Sequence, residues 1–326
     1  MRRPLRRAAG VLVTVVTAGT VLAGCAADTL GQTDPPTTTA VLPTPPGASF
    51  GAQPPEGVEA SSCDATSSLR PSSTFAPGQM PSGSTMERIF QRGRLVVGTD
   101  IGSNPLSFRD PISGDIEGFD LDIATWLADA IFGEPKIEYR ILTTDERLSA
   151  LQNGEVDVVV KSMSITCDRR KAVEFSEPYL TAGQRILAYR NSGINDVADL
   201  KGKNVCATQR STALARIQTE VPAARPVSAS SWADCQVMMQ QGQVDAIVGD
   251  EPILVGLAEQ DPWVQMVGDS IGTEYYGVGI PLQQDDMVRF VNAVLEQRRG
   301  DGSWQQSQQH WLPDLAGSPP PTSYRD

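Results

Sequence analysis

Two short stretches hold most of the residues that could do chemistry. Residues 161–171, KSMSITCDRRK, follow an apolar run, VDVVV (156–160), and bring Lys161, Ser162, Ser164, Thr166 and Arg169 close together. The other is Asp250, which closes a second apolar run, VDAIVGD (244–250). Hydroxyls beside a guanidinium suit a carboxylate, because a planar fork gives parallel charge-assisted hydrogen bonds that offset desolvation. A carboxylate at the end of a buried strand suits an ammonium. Placed on facing lobes, the two sets would grip both ends of a zwitterion.

Nucleophilic catalysis has less support. His310 is the only histidine, sits beside Trp311 in a polar C-terminal helix and has no nucleophile near it in sequence, so it reads as a surface residue. A metal site is not expected either, since one histidine and no CxxC pair make a poor ligand set. Some charged positions have simpler readings. Arg170 and Lys171 suit a solvated helix start, Asp250 could also cap the helix that begins at Glu251-Pro252, and Lys161 could pair with a neighbouring acid. Asp120 and Asp122 read as capping, solvated residues of a helix.

The elements that would position these residues alternate. RLVVG (94–98) reads as a strand, GFDLDIATWLADAIF (118–132) as an amphipathic helix, KIEYRIL (136–142) as a strand, TDERLSALQNG as a helix and VDVVV as a strand. After Tyr179 a second series follows: QRILAYR (184–190) and NVCAT (204–208) are strand-like, STALARIQTE helical, PVSAS strand-like, WADCQVMMQQG helical and VDAIVG a strand. Alternation of this kind implies α/β architecture with mostly parallel sheets. ALQNGEVDVVV and MMQQGQVDAIVGD echo one another, which suggests two similar lobes. Ligands in open α/β sheets collect beyond the carboxyl ends of the strands, so both polar ends are expected at one cleft.

The ends of the chain differ from this body. Arg2, Arg3, Arg6 and Arg7 precede an apolar stretch from Val11 to Leu22 that is short for a membrane span. Leu22-Ala23-Gly24-Cys25 resembles a bacterial lipobox, which implies a signal peptide over 1–24 and lipidation of Cys25 at the outer face of the plasma membrane. Residues 25–85, rich in Pro, Thr and Ser, read as a tether, and 317–326 as a disordered tail. Without residues 1–24 the chain has 23 basic against 39 acidic residues, which disfavours nucleic acid as a partner. Cys63, Cys167, Cys206 and Cys235 remain for an oxidising compartment. Four cysteines allow three pairings; Cys206–Cys235, near each other in one folding unit, with Cys63–Cys167 is the favoured one.

Residues 94–313 resemble the periplasmic amino-acid-binding proteins of the polar class, which have the type II solute-binding fold. The resemblance rests on RLVVGTD, GFDLDIA, LQNGEVDVVVKSMSITCDRRKAVEFSEPY, DLKGKNVCATQRSTA, VDAIVGDEPIL, YYGVGI and GDGSWQQSQQHW. It implies two lobes, 86–183 with 277–316 and 184–276, hinged near Tyr179–Gln184 and Thr273–Val278. It implies that Arg169 clamps the ligand carboxylate with Ser164 and Ser162, that Asp250 accepts the ammonium, and that Ser211 and Thr212 add donors from the second lobe. Asp100 and Ser103 would meet the side chain. The sequence departs from the pattern at Arg210, where glycine is usual, at Ser103 and Thr144, where large rings are usual, at Lys161, usually small, and at Thr208, where the glutamine-selective pattern has lysine. These departures suggest a polar pocket with Lys161 and Arg210 neutralising an acidic side chain, and so aspartate or glutamate ahead of glutamine, with asparagine open. Such a receptor is expected to be a monomer without cofactor that delivers its ligand to an ABC permease or, alternatively, to a membrane sensor. The same fold hosts cyclohexadienyl dehydratases, an enzymatic alternative needing a buried acid of raised pKa beside the clamp; Glu174 and Glu177 look instead like part of the hinge approach.

Overall fold

The computed structural model describes residues 43–52, 63–73, 75–221, 223–315 and 317–326. The expected signal peptide, Cys25 and part of the expected tether lie outside these residues. The sheet of the first lobe runs Ile137–Ile141, Leu95–Thr99, Val158–Val159, Gly279–Ile280, Glu174–Phe175. Its first three strands are parallel, while Gly279–Ile280 returns antiparallel to its neighbours. Alternate residues face opposite sides, as the period of a strand requires. Leu95, Val97, Val158 and Val160 join the core that includes the helix Phe119–Phe132, and Val96 and Val159 join a second core with Ala150 and Leu151. Being covered on both faces explains why these strands read as unbroken apolar runs.

The second sheet runs Ser49–Phe50, Arg225–Ala229, Asn204–Thr208, Ala246–Asp250, Leu180–Tyr189, Val264–Tyr276. Its three middle strands among 204–250 are parallel. Leu180–Tyr189 and Val264–Tyr276 form an antiparallel ribbon from Leu180↔Tyr276 to Gln184↔Gly272, then shift register before Val267↔Ile186. Most of the two segments expected to cross between lobes, 180–184 and 273–276, lies in this ribbon. The helix Trp232–Gln240 starts with a capping box between Ser231 and Asp234, and Cys235 on that helix is bonded to Cys206 on the adjacent strand. Cys63 is bonded to Cys167, so both favoured pairings are present.

Two expectations about the ends need correction. Part of the tether is built into the body: Ser49–Phe50 pairs antiparallel with Ser228 and Val227 at the edge of the second sheet, and Gln218 Nε2 donates to Ala52 O at 2.7 Å. The tail is likewise placed rather than disordered. The Ser68 N–H donates to Ser323 O at 2.9 Å, and the Arg325 N–H to Ser68 O at 3.0 Å. Composition gave no sign of either, because main-chain pairing satisfies an open sheet edge without apolar side chains.

The lobes touch across the cleft. Gly256, in the helix Glu251–Gln260 of the second lobe, faces Asn104 of the first so closely that an added Cβ would lie 1.8 Å from the Asn104 carbonyl oxygen. Gly256→Ala is therefore predicted to hold the lobes apart. Alanine favours a helix by about 1 kcal/mol over glycine, so thermal stability should hold while small-angle scattering shows a wider particle and ligand affinity falls. Unchanged affinity would contradict this contact as a closure limit.

Candidate functional site

The pocket lies where the parallel strands of both sheets end. It is lined by Thr144, Arg147, Ser162, Ser164 and Arg169 from the first lobe and by Thr208, Ser211, Thr212, Trp232, Asp250 and Ile253 from the second. With Arg147, Arg169 is one of two arginines in this lining. It sits on a single helical turn, Cys167–Arg170, capped by Thr166, whose hydroxyl accepts the Arg169 N–H at 3.2 Å. Its guanidinium donates to Ser164 O at 2.7 Å in its own lobe and to Arg210 O at 3.0 Å in the other. Burial pushes this guanidinium below the usual arginine range, with Glu274 and Asp250 opposing the shift.

Hydroxyls surround it. Ser164 Oγ lies 3.4 Å from Thr212 Oγ1 across the cleft, and Gln184 Nε2 donates to the same Thr212 oxygen at 3.0 Å. Ser211 caps the helix Thr212–Glu220, accepting the Leu214 N–H at 3.0 Å, so the first turn of that helix faces the site. A helix start of this kind presents free N–H groups and a favourable dipole to an anion. Ser162 and Arg210, with φ of 39° and 54°, are two non-glycine residues in the left-handed region, one in each recognition loop. Such conformations cost about 1–3 kcal/mol and persist where surroundings enforce them. At 210 the turn thus keeps a backbone form that glycine adopts easily.

On the opposite side, Asp250 is buried and takes the Tyr276 hydroxyl on Oδ2 at 2.6 Å. Its Oδ1, and Thr208 Oγ1 in the same pocket, are buried without a hydrogen-bond partner. Asp250 does not cap the helix that follows with its side chain. Burial, and next the charge of Glu274, raise its pKa to about 6, opposed by the neighbouring side chains of Tyr276 and Gln184. A carboxylate oxygen of this kind lacks one donor, and burying it unpaired costs about 1–3 kcal/mol, more for a charge.

Next to this pocket the cleft widens into a second chamber bounded by Asp100, Ser103, Thr143, Thr144, Lys161 and Trp232. Lys161, only 3% exposed, forms an ion pair with Asp100. Asp100 also accepts the Ser103 hydroxyl at 2.8 Å and that of Ser107. Burial lowers the Lys161 pKa, opposed by Asp100.

Nine of the ten expected residues, Asp100, Ser103, Lys161, Ser162, Ser164, Arg169, Ser211, Thr212 and Asp250, line these two chambers. Arg210 does not place its side chain there. It is exposed and contributes a backbone carbonyl, so it is not a neutralising charge in the pocket. Asp120, read as solvated, is instead fully buried: it accepts the Ser162 N–H at 2.7 Å and the Tyr179 hydroxyl at 2.7 Å. Burial raises its pKa to about 7. Asp122 is also engaged, accepting from Ser307 Oγ at 2.5 Å and Trp311 Nε1 at 2.8 Å. His310 is exposed, as expected.

Arg147 and Trp232 were not foreseen. Arg147 is buried and donates to the carbonyls of Thr144, Lys161 and Ser162 at 2.9, 3.1 and 3.3 Å, shaping the binding loop; burial lowers its pKa to about 9. Its signal was a cation in the first turn of a helix, where the dipole disfavours it. Trp232 supplies an aromatic wall from the second lobe, and Gly249 leaves it room, since a Cβ there would lie 3.0 Å from the ring. Its signal was an aromatic residue directly after a strand end and a capping serine.

The raised pKa of Asp250 gives a pH dependence with a definite sign. Accepting an ammonium needs the carboxylate, so affinity for an amine ligand should fall below about pH 6, up to tenfold per unit. Without ligand the folded chain holds this proton more tightly than the unfolded one, so stability from this group is present at low pH and lost as pH rises through about 6. Calorimetric titration between pH 5 and 8 checks the first point, and Asp250→Asn should flatten the profile.

Residues 95–314 match the bacterial extracellular solute-binding proteins, family 3. The chain is 33% identical over 230 residues to the ABC transporter glutamine-binding protein GlnH of Bacillus subtilis (strain 168), covering 70% of this chain and 84% of that one. It is 38% identical over 197 residues to the glutamine-binding protein of Geobacillus stearothermophilus, covering 60% of this chain and 75% of that one. Among solved structures, the ancestral amino acid-binding protein AncCDT-1, a precursor of cyclohexadienyl dehydratase, superposes with a TM-score of 0.65 at 32% identity, covering 70% of this chain and all of that one (100%). With two lobes closed over a polar pocket at their strand ends, the chain belongs to the bacterial extracellular solute-binding proteins, family 3.

Proposed function

We propose that the protein is an extracytoplasmic receptor for a polar amino acid, one of aspartate, glutamate, asparagine or glutamine. The observation that carries this reading is the pairing, within one closed pocket, of the buried Arg169 fork with the buried, unpartnered Asp250 Oδ1. An α-carboxylate answers the first and an α-ammonium the second. Supplying the two from different lobes ties closure to occupancy.

The second chamber selects the side chain. Lys161 is matched by Asp100, which is also held by Ser103 and Ser107, and Glu146 at the exposed side adds a second carboxylate to the wall. Its free donors are the remaining Lys161 N–H groups. They favour a side chain ending in an oxygen, whether amide or acid. The ion pair removes the reason for ranking acids ahead of amides. The two glutamine-binding relatives agree with this wider set.

Lipidation of Cys25 would keep the receptor at the outer face of the plasma membrane, where its partner would be an ABC permease. The alternative partner is a membrane sensor that reads the closed form. A dehydratase would use the same clamp, and Asp250 is the buried acid that such a reading would require. Its hydrogen bond from Tyr276 and open oxygen favour a static ammonium acceptor. Glu177, by contrast, is paired with Arg299, and neither it nor Glu174 lines the pocket.

Calorimetry with the four amino acids, arginine and prephenate tests the reading. At least one of the four should bind tightly without forming product. Arg169→Ala should weaken it about 100-fold, the loss of two charge-assisted hydrogen bonds. Lys161→Met should weaken it about 10-fold by removing one such bond. Arginine binding more tightly than all four, or turnover of prephenate, would overturn the proposal.

A further inference from the structure

Arg169 stands on a helix of only four residues, Cys167–Arg170. A single turn cannot hold itself, because the entropy of fixing it exceeds what its own hydrogen bonds return. Its position must come from what it is fastened to. Much of that fastening comes from the two terminal segments of the chain.

The first residue of the turn, Cys167, is bonded to Cys63. The last, Arg170, donates from Nε to Ala65 O at 2.6 Å and lies over the Phe175 ring at 5.6 Å. Three residues on, the buried Ser68 hydroxyl donates to Phe175 O at 3.0 Å. Residues 63–70 therefore run along the back of the clamp and grip it at three points. They are in turn held by residues 323–326. The backbone of Ser68 is paired on both sides, with Ser323 and Arg325. Arg325 donates to Glu174 at 2.7 Å, and the Tyr324 hydroxyl sits between the carboxyls of Glu177 at 3.0 Å and Glu296 at 2.5 Å. Asn292 secures the base, donating to Ser68 Oγ at 2.9 Å and Leu69 O at 2.7 Å.

We propose that residues 63–70 and 323–326 form a brace that positions Arg169 for the ligand carboxylate, with the Cys63–Cys167 bond as its fixed point. The inference rests on the amino-acid reading above. The brace touches no ligand; it acts through the helical turn, so its loss should be felt at the carboxylate end and not at the ammonium or side-chain end. A bond serving stability alone would weaken all ligands alike.

The test uses the full chain and whichever of aspartate, glutamate, asparagine or glutamine binds most tightly, together with its α-carboxamide, which lacks the anion Arg169 receives. The ratio of the two affinities reads the clamp. In Cys63→Ser/Cys167→Ser the ratio should shrink about 10-fold, roughly one charge-assisted hydrogen bond's worth of discrimination. Cys206→Ser/Cys235→Ser, which opens the bond of the second lobe, should lower the melting temperature and leave the ratio unchanged. Arg170→Ala, which removes the contact to Ala65, the Phe175 stack and the ion pair with Glu174 at 3.5 Å, should shrink the ratio by a smaller factor and serves if the double variant fails to fold. A ratio equal to wild type in a folded Cys63→Ser/Cys167→Ser chain, or in Arg170→Ala, overturns the brace. Failure of the unaltered chain to bind any of the four amino acids overturns the functional reading instead, so the two outcomes are distinct.

Discussion

A guanidinium removed from water governs the rest of the site. Arg169 is 9% exposed, and two neutral carbonyls take part of its donor capacity. Neutral acceptors do not discharge a buried cation; an anion does. The hydroxyls around it, the helix start at Ser211 and the backbone strain at Ser162 and Arg210 all shape a place for that anion. Because one carbonyl belongs to each lobe, the same guanidinium also helps join them. Binding and closure thus share one side chain.

The charges around Arg169 form a connected set. Arg147, Lys161 and Arg169 are buried beside Asp100, Asp120, Asp250 and Glu274, and burial drives the cations down in pKa and Asp120 and Asp250 up. Some members serve shape: Arg147 holds three carbonyls, and Asp120 links the Ser162 N–H to the Tyr179 hydroxyl. Lys161 and Asp100 satisfy one another. Asp250 keeps an open oxygen. Networks of this kind are stable only when every member finds a partner, and the proposed zwitterion would supply the missing ones at both ends.

Strand and helix order was legible because hydrophobic periodicity is local: VDVVV and VDAIVG are strands in the sheets, and GFDLDIATWLADAIF is the helix Phe119–Phe132. Most of the recognition set was legible for a similar reason, since Ser162, Ser164 and Arg169 share one loop. Asp120 was misread because its polar type looks the same in a solvated helix start and in a buried network; the atoms that claim it lie at Ser162 and Tyr179. Arg210 was misread in the opposite sense: a cation near the pocket in sequence points away from it, and its carbonyl does the work. The terminal segments were invisible to composition because they dock through main-chain pairing, a disulfide and scattered side-chain hydrogen bonds, none of which needs a periodic apolar face.

Sequence alone determined the α/β alternation, the doubled strand ends and the residue types for a carboxylate and an ammonium, since each depends on neighbours within a few positions. Tertiary structure decided which charges remain free. Lys161 is answered by Asp100, sixty-one positions away, while Asp250 has an oxygen left over. Whether a charge is spent within the fold or available to a ligand depends on what burial brings beside it, and no local pattern encodes that.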